Sequence, residues 1–300
     1  MVAAAGGGFI LIPVRPLLKG LLPALWLASA GVAAQPTAAP GIQFEATPGT
    51  PVSAWVLDAG GVAVQVGTTP QRQQLDGVAD ADGHADLDHE DVDFDGAQDL
   101  VVRASVGQVN EAVAVYRYDA ASGRFEALAV PSSPRANCDG LWSLSVDAAS
   151  RSLVSTCRGG PMWYTDIYRY AAGALYLYRA EELLQEGEAS MDGLLQVERA
   201  PDAGPLAVWR SYDAAGDVLE SAIGDGLVAP AHGAPLRGMD ARVVPARLPL
   251  YRAPGDTSTK RYLLRGDVVE LLDARDGWTQ LRYRNPSRGA VLGWVGGTLP

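Results

Sequence analysis

Apolar positions in this chain come in short runs broken by small-residue turns, a pattern that predicts many β-strands and few helices. The stretch from Ala54 to Val66 reads as a hairpin about Gly60-Gly61, and Leu100 to Ser105 pairs with Glu111 to Tyr118. A unit then recurs. Tyr116-Arg117-Tyr118 leads into Gly123-Arg124-Phe125, Tyr168-Arg169-Tyr170 into Gly173, and Ser211-Tyr212-Asp213 into Gly216. Each is a strand ending near a tyrosine, a tight turn and a returning strand. Their uneven spacing fits either a meander or propeller-like blades. One helix is predicted, from Ala180 to Glu186, and residues 227–244 read as a Pro/Gly linker in which His232 faces solvent.

Composition supports this reading. The 300 residues allow one large or two modest domains, and 34 Gly with 20 Pro suit a turn-rich β protein. The 24 basic and 35 acidic residues are unevenly placed, since residues 241–300 hold ten basic and only five acidic side chains. A basic module after an acidic one predicts separate domains. The expected fold class is therefore mainly β: a propeller-like or meander domain over 51–226, then a small β-barrel over 245–300.

The start of the chain carries Arg15 and Lys19, an apolar stretch from Gly20 to Ala30, and Val32-Ala33-Ala34. This reads as a signal peptide over 1–34, followed by a loose leader over 35–50. Export into the periplasm follows, with no membrane span after cleavage. In that oxidising compartment Cys138 and Cys157, the two cysteines of the chain, are expected to form a structural disulfide.

The chemistry gathers in Asp91-Val92-Asp93-Phe94-Asp95-Gly96-Ala97-Gln98-Asp99. Carboxylates at positions one, three, five and nine, with glycine at six, give a hard cation the oxygens it needs. The expected ligands of Ca2+ are Asp91, Asp93, Asp95 and Asp99 with the carbonyl of Ala97. Position twelve is Val102 rather than the Glu of a helical EF-hand, so the loop is expected between strands. Asp80-Ala81-Asp82-Gly83-His84-Ala85-Asp86 repeats the core of this run without its first ligand. It reads either as a second weak site or as an acidic turn. The many carboxylates favour calcium over a transition metal even with His84 and His89 nearby.

Two resemblances add to this. Tyr251, Arg265-Gly266-Asp267-Val268, Gly277-Trp278 and Gly293-Trp294-Val295 resemble the bacterial SH3-like barrel, which implies binding of peptidoglycan or of a protein. The calcium loop, the Tyr116–Phe125 unit, Ser155-Thr156-Cys157-Arg158-Gly159-Gly160 and Tyr168-Arg169-Tyr170 resemble calcium-binding periplasmic immunity proteins. That family implies a propeller-like fold and inhibition of lysozyme-like peptidoglycan hydrolases delivered by type IV secretion. Members are lipoproteins, and this chain has no lipobox cysteine.

The sequence contains no Gly-x-Ser-x-Gly elbow, His-Glu-x-x-His or phosphate-binding loop, and it is read as a non-enzyme. The expected function is an exported calcium-binding inhibitor of a peptidoglycan hydrolase. The candidate partner loop is Arg158, Gly159, Gly160, Trp163 and Tyr164, whose aromatics fit either an exposed insertion loop or the core. The alternative is an envelope-associated binding module whose barrel contacts peptidoglycan or a protein. Nucleic acid is not expected as a partner.

Overall fold

The computed structural model describes residues 41–184, 191 and 193–296. The signal-peptide reading, the first part of the leader and Gln185-Glu186 lie outside the described residues. Residues 41–296 fall in one compact unit.

The architecture is mainly β, with 22 antiparallel strands and no α-helix among the described residues. A first sheet contains β1 (Gly41–Thr47), β2 (Thr50–Val56), β3 (Val62–Val66) and β4 (Gln73–Leu75) in chain order. A second contains β5 (Asp86–Glu90), β6 (Asp99–Val106), β7 (Asn110–Asp119) and β8 (Arg124–Ala127), with β9 (Leu141–Trp142) on β7. The third sheet begins with β10 (Ser145–Asp147), β11 (Ser152–Gly159), β12 (Met162–Ala171) and β13 (Ala174–Leu183). After β14 (Leu195–Val197), it is completed by β15 (Leu206–Tyr212) and β16 (Val218–Asp225).

The rest of the chain adds β17 (Asp240–Val243), β18 (Arg247–Pro249), β19 (Tyr262–Leu264), β20 (Val268–Arg275), β21 (Trp278–Asn285) and β22 (Gly289–Gly296). A fourth sheet runs β14-β17-β20-β21-β22, and β18 pairs with β19. No closed propeller or barrel is present among the described residues.

Successive sheets share cores. Leu100 and Val102 of β6 pack with Phe44, Val52 and Val64 of the first sheet, whereas Val101 packs with Leu153 and Tyr168 of the third. The second sheet is therefore buried on both faces, which explains its unbroken apolar run at Leu100-Val101-Val102. Val208 and Ile223 of the third sheet join Leu195, Val243, Leu271 and Val295 of the fourth in another core.

All three tyrosine units form hairpins, at β7–β8, β12–β13 and β15–β16. Their turn glycines, Gly123, Gly173 and Gly216, have φ of 67°, 79° and 86°, where a side chain would be strained. The buried rings of Tyr118, Tyr168 and Tyr212 hold the units to their cores.

Several expectations need correction. Residues 41–47 are strand β1, paired along β2, rather than loose leader. Ala180–Leu183 end a strand, because β13 is paired with β12 on one side and β15 on the other. Over these four residues the ladder to β15 overrides helical periodicity.

Within 227–244, read as linker, Asp240–Val243 form β17, and the carbonyls of Ala231 and Ala234 accept hydrogen bonds from buried Arg179. His232 is engaged too. Its Nδ1 lies 3.1 Å from Asp147 Oδ2, and its carbonyl accepts from Arg169. The fourth sheet also takes in β14 and β17 from before residue 245, so β20, β21 and β22 do not form a sheet of their own.

Candidate metal centre

The Asp-rich run is the connection from β5 to β6, and Asp99 is the first residue of β6, paired with Glu90. Asp99 is 1 % exposed. Its two oxygens accept from Val92 N at 3.0 Å and Tyr118 N at 2.8 Å, which ties the loop to β7.

Asp91 accepts from the backbone of Asp95 at 3.1 Å and Gly96 at 3.0 Å. Asp93 accepts from Asp95 N at 3.3 Å and faces Arg117 at 3.4 Å. These are self-bonding turns of the kind short Asp side chains favour. Gly96 is required for its φ of 94°, since a Cβ there would meet nothing within 4 Å.

Apolar residues anchor the loop to two cores at once. Val92, fully buried, packs with Val101, Leu153 and Tyr168, while Ala97 packs with Phe44 and Leu100. Phe94 holds a φ of 63°, which is unfavourable for a bulky side chain. Its ring lies edge-on to Tyr170 at 6.3 Å, and its carbonyl accepts from Arg151 at 3.2 Å. Those contacts hold the strained residue in place.

Oxygens of Asp91, Asp93 and Asp99 come within 4.8 Å of one another. Burial raises the pKa of Asp93, and the neighbouring Asp95 charge adds to it. Burial pushes Asp99 up to about 7 against the lowering effect of its two N–H donors, with Asp93 and Asp95 raising it further. Negative charge is thus crowded where water cannot disperse it. The set is all oxygen and could hold a hard cation such as Ca2+. At the margin, buried Tyr170 Oη and Arg117 Nε have no hydrogen-bond partner among the described residues.

Asp95 is outside this grouping. Its carboxylate accepts from Ala97 N at 2.7 Å, and Ala97 is buried. The earlier acidic run also clusters, through Asp80, Asp82 and His84 rather than Asp86. His89 is turned elsewhere, stacked on Phe44 at 4.7 Å with its Nδ1 2.9 Å from Gln98.

The disulfide joins Cys138 to Cys157 with Cα atoms 5.9 Å apart. It points to an extracytoplasmic, oxidising location. Among the described residues no helix is long and apolar enough to cross a membrane. Beyond Cys157 the β11–β12 hairpin turns at Gly160, with φ of 59°, and pairs Arg158 with Trp163. Trp163 is 39 % exposed with Arg158 over its ring at 5.9 Å, whereas Tyr164 is half-buried. The candidate partner loop is therefore an exposed tip at Trp163, tied to the rest of the molecule at Cys157.

Sequence reasoning missed Glu181. This side chain is 3 % exposed and accepts from Thr165 N at 2.8 Å. An extra residue at Tyr178 sits between the Ile167–Arg179 and Tyr168–Leu177 pairs. That bulge turns Arg179 and Glu181 to the face opposite Leu177. A one-residue bulge leaves no mark in a polar-apolar pattern, and the segment from Ala180 read as helix.

No known family, curated protein or solved structure matches this chain.

Proposed function

We propose that this chain is an exported, calcium-stabilised binding protein of the periplasm that blocks a peptidoglycan hydrolase. The observation that carries it is the placement of Asp91, Asp93 and Asp99 on a loop shared by two cores. Calcium there would neutralise the crowded carboxylates, with Asp95 and the Ala97 carbonyl as the further ligands that the spacing supplies. In this reading the stacked sheets are the propeller-like part, and the strands after Val243 the SH3-like part.

The role proposed for the cation is structural. It holds the second and third sheets in register, and the third sheet presents the Trp163 tip. Trp163 with Arg158 makes an aromatic and cationic contact point of the kind that dominates interfaces. The acidic balance of the chain suits a basic partner, whose encounter it would accelerate. The hydrolase itself is named by the sequence resemblance.

One observation favours a second reading, an envelope-associated module. Tyr262, Leu264 and Leu292 of the C-terminal strands are each about half exposed, and Arg247 lies 3.9 Å over the Tyr262 ring. Apolar exposure beside basic residues fits a surface that holds a cell-wall polymer or a protein.

Inhibition of a panel of lysozyme-like hydrolases, with calcium and with chelator, separates the two. Stoichiometric inhibition that weakens at least tenfold in Trp163→Ala supports the inhibitor. Absence of inhibition together with retention on purified sacculi supports the envelope module.

A further inference from the structure

A cleft of about 1340 Å³ opens beside β13 and β15, bounded by residues 134–137 and by the turn from β20 to β21. Its charged groups are not equally matched. Arg210 is paired with Glu182 and lies 2.6 Å from Asp273. Arg275 is also 2.6 Å from Asp273. Arg135 donates to the Gly216 carbonyl at 2.7 Å and stacks over Tyr212 at 4.9 Å. Every arginine of the cleft therefore already has an acceptor.

Glu181 is the buried exception on the acidic side. It lines the cleft, its Oε1 accepts from Thr165 N, and its Oε2 has no partner among the described residues. A buried carboxylate oxygen with nothing donating to it is costly, and native structures rarely leave one so. The neighbouring Asp166 cannot help, because it too is an acceptor and is satisfied by the N–H groups of Asn137 and Cys138. What the cleft lacks is a donor. Its aromatic walls at Tyr164 and Tyr212 suit one that carries positive charge.

We propose that this cleft is a cation-binding site, which takes the ammonium or guanidinium end of a small amine or of a basic side chain on the Glu181 carboxylate. The inference goes beyond the proposed function and does not depend on the calcium loop or on the Trp163 tip.

The state of the group agrees with this. Burial pushes Glu181 up to about 8, the N–H groups of Thr165 and of Glu181 itself lower it, and the Asp166 charge raises it further. Asp276 and Tyr164 are the other ionisable groups lining the cleft. Around neutral pH the empty site thus holds a proton, and an incoming cation displaces it to solvent. Charge balances, since one proton leaves as one cation enters.

Calorimetric titration of the full chain with agmatine, which carries both cationic groups, tests this in two buffers of different ionisation enthalpy. We expect saturable one-to-one binding, proton release near pH 7, and affinity that rises up to about tenfold per pH unit toward pH 8. Glu181→Gln, which keeps an acceptor for Thr165, should lose at least tenfold in affinity along with the pH dependence. Butylurea, neutral and of similar shape, should not bind.

A short peptide ending in arginine distinguishes the source. Preference for it over agmatine assigns a protein side chain, and the reverse assigns a free amine. No saturable binding of either, equal binding of butylurea, or an unchanged Glu181→Gln overturns the proposal. Should that variant fail to fold, absence of proton release by the wild-type protein overturns it alone.

Discussion

The two acidic runs of this molecule share the core Asp-x-Asp-Gly-x-x-Asp-Leu, yet the fold treats them in opposite ways. Asp99 ends its run fully buried, bonded to Val92 and Tyr118, with burial and like charges raising its pKa to about 7. Its counterpart Asp86 is exposed on β5. In the earlier run the His84 N–H bonds to Asp80 at 2.8 Å, and that bond leads the lowering of the Asp80 pKa.

The difference lies in the apolar residues between the ligands. Val92 and Phe94 reach into a core, whereas their counterparts in the earlier run, Ala79 and Ala81, belong to none. Carboxylate spacing alone makes a turn. Spacing together with burial crowds negative charge where a cation could be held.

Removing the buried carboxylate should have the largest effect. Asp99→Ala leaves two buried N–H groups unpaired and should cost about 2–5 kcal/mol by urea unfolding at pH 6, against less than about 0.5 kcal/mol for Asp86→Ala. Equal losses would erase the distinction between the runs.

The pH dependence comes next. Folding raises the Asp99 pKa, so between about pH 4 and 7 the folded chain holds a proton that the unfolded chain has released. Stability present at the acid end of this window is lost as pH rises through it. In chelator, Asp99 should therefore contribute a loss of up to about 4 kcal/mol between pH 4 and 8. Saturating calcium should flatten this slope, as read by unfolding midpoints across pH.

A smaller effect tests the anchor. Val92→Ala should cost about 2 kcal/mol and weaken calcium binding without touching a ligand, by calorimetric titration. Asp80→Ala, in the exposed run, should leave calcium binding at the Asp91–Asp99 loop unchanged.

Much of this was legible in the chain. The Leu100–Tyr118 strand pair, the three Tyr-turn hairpins and the place of the acidic loop between strands follow from local patterning, which records turns and faces directly, and the disulfide from a lone cysteine pair in a chain read as exported. What local pattern cannot record is who covers whom. Asp99 looks like one ligand among four until Tyr118, nineteen residues on, donates to it. Asp95 holds the expected spacing, but its own turn to Ala97 uses the carboxylate.

The segment before β17 resembles a linker because it is rich in Pro, Gly and Ala. Its carbonyls nevertheless satisfy Arg179, a partnership set entirely by distant strands. Glu181 escaped notice for a similar reason, since a bulge on its own strand decides which way it faces.

The most direct test follows thermal unfolding at pH 8 as calcium is added, in wild-type protein, Asp93→Asn and Asp80→Asn. A cation bound only by the folded chain stabilises by about 2.7 kcal/mol at a hundred times its dissociation constant. The wild-type and Asp80→Asn midpoints should therefore rise by several degrees, while Asp93→Asn stays where chelator leaves it. A wild-type midpoint indifferent to calcium, or an equal rise in Asp93→Asn, would contradict a cation held at the buried loop.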